Sequence, residues 1–463
     1  MKFNYLLFIL LYILITSNTI LSQKLLNGNI WHITDTHFDF SYQPGGDPDD
    51  MCRIYKSSHH KGEDHDKDTQ SASPVGNYRC DTSYQLLISA FEEMAKIEPN
   101  PDFIIWTGDD VPHLDNSELN QSLIIQSIVN MTDLIQYYFP GVRVFPSIGN
   151  HDSYPQHQIA VGPNWLLNQV AEIWSPFLSN DSLETVKVGG YYSELFEPGL
   201  RIVSLNTVFY YTQNKQCTNQ SDPAGQLAWL NETLSMARQN QEKVLVIAHV
   251  APGYCVKYSV FNFHFQFNDI YLETFGNYSD IIIAHIYGHE HTDNYRLYYS
   301  QPSSVVIQPE WDEIDQFLAM TKQQMPSGVM FMSPSLTPYM DPYVPALPNN
   351  PSLRMFQYNT TSYQLLDYLQ FWSNLTDNIM TNQINWMLEY KAKDFYHVEA
   401  LDPISMYEAY LLIENTEEML DIYHYYNSVS YPTKGCDEIC RKIQLCSMRH
   451  PYSKGFEGCL VVL

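Results

Sequence analysis

Residues 144–152 read VFPSIGNHD, an apolar run that ends in Gly-Asn-His-Asp. Four other places in the chain repeat this arrangement, in which a polar motif follows an apolar run. They are Asp35-Thr36-His37 after residues 30–33, Gly108-Asp109 after residues 103–106, His249 after residues 244–248, and Gly288-His289-Glu290-His291 after residues 281–284. Each motif lies where a buried strand is predicted to end, which is where open α/β sheets bind their ligands.

The order of these motifs, D-x-H, G-D, G-N-H-D, H and G-H-x-H, resembles the calcineurin-like metallophosphoesterase superfamily. Within that superfamily, several longer stretches resemble the acid sphingomyelinase-like phosphodiesterases. They are WHITDTH at 31–37, IWTGDDVPH at 105–113, FPSIGNHDSYP at 145–155, SPSLTP at 333–338 and NPSLRMFQY at 350–358. The resemblance runs from about residue 29 to the last cysteines, and the joint pattern is highly specific.

The resemblance implies seven metal ligands in two sets that share one carboxylate. The first metal would be held by Asp35, His37, Asp109 and His291, and the second by Asp109, Asn150, His249 and His289. Asp109 would bridge the metals, since a carboxylate has two oxygens to share. In Asp35-Thr36-His37 and in His289-Glu290-His291, an alternation of two is predicted to place the outer side chains on one face of an extended chain. Glu290 would then point away from the metals.

Hydrolysis of a phosphodiester requires charge neutralisation, an activated water and protonation of the leaving oxygen. Two metals about 3.5 to 4 Å apart supply the first two. His151 resembles the family's proton donor, and His113 matches a histidine that is paired with it. Imidazole suits this task because it titrates near the pH at which such an enzyme works. A purely structural role is the alternative for either histidine, but both fall inside matching motifs.

The resemblance implies two zinc ions per chain, and zinc suits His, Asp and Asn ligands in an oxidising compartment. The ligand set alone would also accept manganese or iron. Purple acid phosphatases, which share much of this pattern, use a tyrosine three residues after the bridging aspartate to bind ferric iron. Here that position is Pro112, which disfavours iron-tyrosinate chemistry.

The start of the chain has the features of a secretory signal peptide, predicted at residues 1–22, with Lys2 ahead of an apolar stretch at 6–15. That stretch is short for an uncleaved membrane anchor, and the apolar tail at 458–463 is too short for a GPI signal. We therefore expect a secreted protein, extracellular or in the lumen of acidic vesicles, with no transmembrane span or GPI anchor.

Sequons and cysteines agree with export. N-glycans are expected at eight Asn-x-Ser/Thr sites, which are Asn120, Asn130, Asn180, Asn219, Asn231, Asn277, Asn359 and Asn374. Eight cysteines, an even number, suggest disulfides. Proximity and the family resemblance suggest the pairs Cys52–Cys80, Cys217–Cys255, Cys436–Cys440 and Cys446–Cys459. A zinc knuckle is the weaker alternative for the last four, because Cys-x3-Cys followed by single cysteines lacks the usual paired spacing.

Acidic residues exceed basic residues by 52 to 25, for a formal net charge of −27. Such a surface repels nucleic-acid polymers and anionic membranes, and solubility in an acidic compartment is the explanation we favour for it. The family resemblance implies a small phosphodiester partner, either a sphingolipid or a nucleotide. Residues 23–28 leave no room for the six-cysteine saposin-like module that accompanies acid sphingomyelinase. This favours soluble or already exposed phosphodiesters as substrates.

Strands that alternate with helices indicate the α/β class, and the family implies a calcineurin-like sandwich of two mixed β-sheets flanked by helices. The catalytic domain is predicted at residues 23–345, and a small helical, disulfide-stapled C-terminal subdomain at 346–463. Apolar spacing predicts helices at 84–97, 225–237, 363–396 and 403–426, strands at 200–211 and 305–308, and a long polar loop at 55–78.

The sequence thus predicts a secreted, zinc-dependent phosphodiesterase that hydrolyses phosphodiester or phosphoanhydride bonds with a metal-activated water and a histidine acid. Its substrate would be sphingomyelin, giving ceramide and phosphocholine, or a nucleotide. An acid phosphomonoesterase on the same scaffold is the first alternative. A non-catalytic secreted glycoprotein is the second, and the complete ligand set argues against it.

Overall fold

The structure, a computed structural model, describes residues 27–54, 71–300, 325–340 and 348–462. The predicted signal peptide, most of the polar loop and the predicted strand at 305–308 lie outside these residues. Among the residues that are described, no helix combines the length and apolar character that a bilayer crossing requires.

Fourteen strands and twelve α-helices make up the described fold. The strands are β1 Asn27–Ile33, β2 Phe103–Trp106, β3 Arg143–Pro146, β4 Tyr192–Glu197, β5 Leu200–Leu205, β6 Lys243–Ala248, β7 Tyr254–Cys255, β8 Val260–Phe261, β9 Ile282–Tyr287, β10 Asn294–Tyr298, β11 Gly328–Met332, β12 Ser352–Asn359, β13 Leu365–Trp372 and β14 Met387–Lys391. The helices are α1 Tyr84–Ile97, α2 Gln121–Tyr138, α3 Trp165–Ile173, α4 Asn180–Gly189, α5 Gln226–Gln239, α6 Phe265–Gly276, α7 Leu375–Thr381, α8 Ala392–Tyr396, α9 Pro403–Asn415, α10 Glu417–Asn427, α11 Glu438–Arg449 and α12 Ser453–Val462.

Twelve of the strands form two six-stranded mixed sheets, as predicted, and β7 pairs with β8 in a separate two-stranded sheet. The first has the order β14-β13-β12-β1-β2-β3, and the second has the order β10-β11-β9-β6-β5-β4. β1, β2 and β3 run parallel, as do β5, β6, β9 and β11. Every residue of β2 is buried, as expected for a central parallel strand that is covered on both faces. Parallel strands bring their carboxyl ends to one edge, and this edge carries the polar motifs.

The predicted helix at 363–396 is wrong in its larger part. β13 and β14 pair antiparallel with each other, and β13 pairs with β12, so three strands of the predicted C-terminal subdomain belong to the first sheet. The apolar residues of β13 also fit a helical stripe, and pairing with a sequence-distant neighbour decides the outcome. Helices do dominate residues 392–462. The division near residue 345 stays a prediction.

The remaining elements follow local signals. The helix at 84–97 is confirmed, and the Ser83 side chain caps it by accepting a hydrogen bond from the Leu86 amide at 3.2 Å. The helix predicted from residue 225 begins at Gln226. The helix predicted at 403–426 is two helices that meet at Thr416, and the strand predicted from residue 200 ends at Leu205, ahead of a 3-10 turn.

Three of the four predicted disulfides are present, namely Cys52–Cys80, Cys436–Cys440 and Cys446–Cys459. The last two exclude a zinc knuckle in the C-terminal helices. The predicted Cys217–Cys255 pair is wrong, because both are buried free thiols. Cys217 packs its sulfur against the Ile159 carbonyl oxygen at 3.5 Å, and burial raises the pKa of this thiol to about 11.

Candidate metal centre

All seven predicted ligands lie just beyond the carboxyl ends of central strands. The first sheet supplies Asp35 and His37 after β1, Asp109 after β2 and Asn150 after β3. The second sheet supplies His249 directly after β6, and His289 and His291 after β9. The seven residues are all buried.

The backbone of these motifs is not extended, so the predicted alternation is wrong as a reason for their convergence. Five of the seven residues adopt the left-handed region, with φ of 49° at Asp35, 39° at His37, 58° at Asp109, 69° at His289 and 56° at His291. Each such residue costs on the order of 1–3 kcal/mol, which is typical of strained functional sites. Backbone hydrogen bonds keep these residues in the strained conformation. The Asp35 amide donates to the Gly108 carbonyl and the His37 amide donates to the Asp109 carbonyl, each at 3.0 Å.

The ligand atoms form two adjoining groups around one carboxylate. His249 Nε2 lies 3.0 Å from Asp109 Oδ2 and 3.0 Å from Asn150 Oδ1, and His289 belongs to the same group. The second group contains Asp35, His37 and His291. His37 Nε2 lies 3.6 Å from Asp109 Oδ2, so the Asp109 carboxylate lies between the groups, where a bridging ligand would be.

The hydrogen bonds of two histidines fix which ring nitrogen faces the carboxylates. Nδ1 of His37 donates to the Val111 carbonyl and Nδ1 of His249 donates to the Thr107 carbonyl, each at 2.7 Å. Their Nε2 atoms therefore face the cluster: His249 Nε2 lies against Asp109 and Asn150, whereas His37 Nε2 is buried without a hydrogen-bond partner among the described residues. Nitrogen and oxygen lone pairs that converge in this way call for a cation between them, so the donor set fits divalent metals.

Electrostatics give the centre two neutral histidines and one histidine that is paired with a carboxylate. Burial raises the pKa of Asp109 to about 6. Burial alone would lower the pKa of His249, but the charge and hydrogen bond of Asp109 outweigh it and raise that pKa to about 9. Burial holds the pKa of His37 and His289 well below its usual range, so both rings are neutral, which is the form that binds metals.

Asp152 organises the centre without facing the cluster. Its carboxylate accepts hydrogen bonds from the backbone amides of Asp109 at 2.8 Å, Asp110 at 2.9 Å and Gly149 at 2.8 Å. It therefore ties the loop after β2 to the loop after β3. Gly149 permits this approach, because a Cβ there would lie 2.1 Å from Asp109 Oδ1.

Glu290 points away from the ligands, as predicted. It is buried and forms an ion pair with Arg296, whose Nη2 lies 2.7 and 2.9 Å from the two carboxylate oxygens. Asn262 donates a further hydrogen bond to Glu290 at 2.7 Å. The residue between the two histidine ligands thereby anchors their loop to the segment after β8.

Both predicted acid candidates lie beside the cluster. The His113 ring centroid is 3.9 Å from that of His37 and 4.4 Å from that of His151. His113 Nδ1 lies 2.9 Å from Asp81 Oδ1. Although burial lowers the pKa of His113, the Asp81 carboxylate outweighs that effect and raises it. His151 Nδ1 instead receives a hydrogen bond from the side-chain amide of Gln156 at 2.5 Å.

These residues open onto a cavity of about 630 Å³. Its lining includes Asp109, Asn150, His289, His291 and both acid candidates, together with Arg53, Arg79, Gln156, His157, Tyr211, Tyr258 and Tyr339. No sequence motif pointed to the arginines and tyrosines, or to Asp81. Gln156 and His157 follow Gly-Asn-His-Asp within five residues, and that proximity was the only available signal for them.

Comparison with known protein families identifies two family profiles that match this chain. The profile described as calcineurin-like phosphoesterase matches residues 28–293, and the profile of the acid sphingomyelin phosphodiesterase C-terminal region matches residues 325–462. All seven predicted ligands lie within the first match.

Three relatives match along nearly the whole chain. Sphingomyelinase phosphodiesterase C of Dictyostelium discoideum is 60% identical over 459 residues, which cover 99% of this chain and 98% of that protein. Human cyclic GMP-AMP phosphodiesterase SMPDL3A is 34% identical over 439 residues, 94% of this chain and 90% of that protein. Mouse acid sphingomyelinase-like phosphodiesterase 3b is 34% identical over 440 residues, with the same two coverages of 94% and 90%. The chain therefore belongs to the acid sphingomyelinase-like phosphodiesterases, phosphoric diester hydrolases of the calcineurin-like phosphoesterase superfamily.

Proposed function

We propose that this protein is a secreted, zinc-dependent phosphodiesterase with two cations per chain. The cations would be held by Asp35, His37, Asp109, Asn150, His249, His289 and His291. The observation that carries the proposal is the convergence of buried acceptors, above all His37 Nε2, which faces Asp109 and has no hydrogen-bond partner in the part of the chain that the structure describes. When bound, the two cations would neutralise phosphoryl charge and lower the pKa of a water molecule toward neutrality.

His151 is proposed as the proton donor to the leaving oxygen. Its ring lies on the cavity lining, and as an imidazolium it would give one proton to the leaving oxygen and return to the neutral form. His113, whose ring lies beside that of His151, is proposed to contact the phosphoryl group. The Asp81 carboxylate raises the pKa of His113 and so favours the cationic form of the ring. A cationic imidazole next to the phosphate stabilises negative charge that develops in the transition state.

The size of the cavity favours diesters over monoesters. A volume of about 630 Å³ lies in the range of pockets that bury whole small-molecule ligands, and it exceeds what one phosphate group fills. Tyr211, Tyr258 and Tyr339 add aromatic surface beyond the predicted ligands. The substituents on both sides of a phosphodiester or phosphoanhydride would find contact surface there.

The proposed substrates are sphingomyelin, cleaved to ceramide and phosphocholine, and nucleotides. The 60% identical relative is named for sphingomyelinase activity, and the 34% identical human relative is named for cyclic GMP-AMP. Zinc is proposed because it suits this donor set in an oxidising compartment.

Export is proposed on two observations about the described residues. Three disulfides are formed, which agrees with an oxidising compartment. None of the eight sequon asparagines is buried, so each is accessible for a glycan.

A substrate panel on the purified, zinc-loaded protein tests the proposal. Initial rates would be compared on sphingomyelin micelles, on a cyclic dinucleotide, on a nucleoside triphosphate and on a simple phosphomonoester. We expect turnover of at least one diester or anhydride, and a monoester rate lower by about tenfold or more, since the monoester leaves much of the cavity unfilled. Preference for the monoester would establish the alternative phosphomonoesterase, and turnover of none would overturn the proposed substrate class.

A further inference from the structure

A chain of buried polar side chains runs from the second sheet to one of the proposed ligands. Its members are Ser333, His32, Thr107, Thr34 and Asp35, and each lies within hydrogen-bond distance of the next. We propose that the first four are positioning residues, which set the oxygen of Asp35 that faces the first metal. This inference rests on the proposed role of Asp35 as a ligand.

The direction of every hydrogen bond in the chain follows from its last member. An ionised carboxylate only accepts, so Thr34 Oγ1 donates its one hydrogen to Asp35 Oδ2 at 2.5 Å. Thr34 Oγ1 then accepts from Thr107 Oγ1 at 2.6 Å, and Thr107 Oγ1 accepts in turn from His32 Nε2 at 2.9 Å. Burial lowers the pKa of His32 to about 3, so its ring is neutral and Nδ1 accepts from Ser333 Oγ at 2.7 Å. All four hydrogen bonds therefore point toward Asp35.

The chain ends on only one of the two carboxylate oxygens of Asp35. The His289 amide contacts both oxygens, Oδ1 at 3.1 Å and Oδ2 at 3.0 Å, so it does not distinguish them. The Thr34 hydroxyl does distinguish them, because it donates to Oδ2. Oδ1 instead lies 3.2 Å from Nε2 of His291, a proposed ligand of the same metal. The hydroxyl thus leaves Oδ1 on the side where the cation would bind.

The surroundings of the chain fix it in place. All five of its side chains are buried. Gly288 leaves room for its last members, because a Cβ at this position would overlap Thr34 Oγ1 and Asp35 Oδ2. Ser333 follows β11 of the second sheet, whereas His32 belongs to β1 of the first sheet. The packing of the two sheets against each other therefore helps to set the orientation of a ligand.

Substitutions that remove one hydroxyl at a time test the inference. Thr34→Val keeps the shape of the side chain and removes the donor to Asp35. We expect the affinity for one of the two zinc ions, measured by competition with a chromophoric chelator, to fall about 10- to 100-fold, and the other affinity to change less than about threefold. Thr34→Ser, which keeps the hydroxyl, should bind zinc as the unmodified protein does. Thr107→Val, one step further from the metal, should cause a loss of about three- to tenfold.

Thr36→Val is the matched control. Thr36 is buried and also adjoins Asp35, but its hydroxyl donates to Asp110, which is not a proposed ligand. Each valine variant removes a buried hydrogen bond, so both should lower the midpoint of urea unfolding of the zinc-free protein. Only Thr34→Val should weaken zinc binding. Equal losses of zinc affinity in the two variants would mean that Thr34 acts only through the fold, and would overturn the inference.

Asp35→Ala separates failure of this inference from failure of the proposed function. Unchanged zinc affinity in Asp35→Ala would remove Asp35 from the proposed ligand set. Zinc affinity that is lost in Asp35→Ala but unchanged in Thr34→Val would overturn the positioning chain alone. Zinc affinity that falls in Thr34→Val but is unchanged in Thr107→Val would overturn the part of the chain behind Thr34.

Discussion

The metal centre beneath the cavity, here called the floor, and the residues that surround it, here called the wall, are built in different ways. The floor, defined as the seven predicted ligands, comes from short motifs at the ends of central strands. The wall, defined as Asp81, Gln156, His157, Tyr211, Tyr258 and Tyr339, comes from loops that are scattered along the chain. Every floor residue is buried, whereas Gln156, His157, Tyr258 and Tyr339 keep part of their surface exposed. The floor is therefore fixed by the sheets, and the wall is free to vary with the loops.

The largest expected effect comes from the centre of the floor. Asp109→Ala removes the carboxylate that lies between both groups of ligand atoms. We expect the rate of diester hydrolysis to fall by about 10⁴-fold or more, because both cations would lose a ligand and each supplies several kcal/mol of charge stabilisation. Asp115→Ala is the control, since Asp115 is an exposed carboxylate that lines the same cavity. Comparable losses in both variants would contradict a special role for Asp109.

The next largest effect is expected from the proposed proton donor, His151. His151→Ala should lower turnover of an alkyl diester by about 10³-fold, which is within the usual range for loss of a general acid. The zinc content should remain that of the unmodified protein, because His151 is not a predicted ligand. Kinetics and metal analysis on the same sample give both values. Unchanged turnover would remove the assignment.

A smaller effect is expected at a buried ion pair between β12 of the first sheet and the residue that precedes β10 of the second sheet. Arg354 and Asp293 are both buried, with Arg354 Nη2 2.5 Å from Asp293 Oδ2. Arg354→Met leaves the buried Asp293 carboxylate without its charged partner, so unfolding in urea should show a loss of about 3 kcal/mol. Arg238→Met breaks an exposed pair with Asp280 and should cost about 1 kcal/mol or less. Equal losses of stability in the two variants would mean that the buried pair contributes no more than the exposed pair.

The smallest effect is expected in the wall. Asp81→Asn keeps the shape of the side chain and removes the charge that faces His113. We expect kcat to fall about tenfold with little change in KM, since an outer partner that orients a functional histidine contributes about 10- to 100-fold. Asp115→Asn, which changes an exposed carboxylate on the cavity lining, should leave kcat unchanged. A raised KM with an unchanged kcat would indicate that Asp81 acts on substrate binding instead.

Sequence reasoning found the floor and missed the wall for a physical reason. Ligand residues such as Asp35 and His249 directly follow apolar strands, so the pattern that predicts the strand also places the ligand. Asp81 reaches His113 across the fold, and no local period records such a contact. His157 was visible only through its nearness to Asn150 in the chain.

Three predictions failed because the deciding interaction is not local. The alternation proposed for Asp35 and His37 assumed an extended backbone, whereas hydrogen bonds to the next loop hold both residues in the left-handed region. The apolar spacing at 365–372 fits a helix as well as a strand, and pairing with β12 selects the strand. The Cys217–Cys255 pair was predicted from proximity and the family resemblance, and both cysteines are instead buried free thiols.

The proposed two-metal centre is tested most directly by metal content and activity in one dialysed sample. We expect about two zinc ions per chain, loss of diester hydrolysis by about 10³-fold or more after chelation, and recovery when zinc is added back. Hydrolysis that persists at the original rate with less than about one metal ion per ten chains would contradict the centre, whatever the family of the fold.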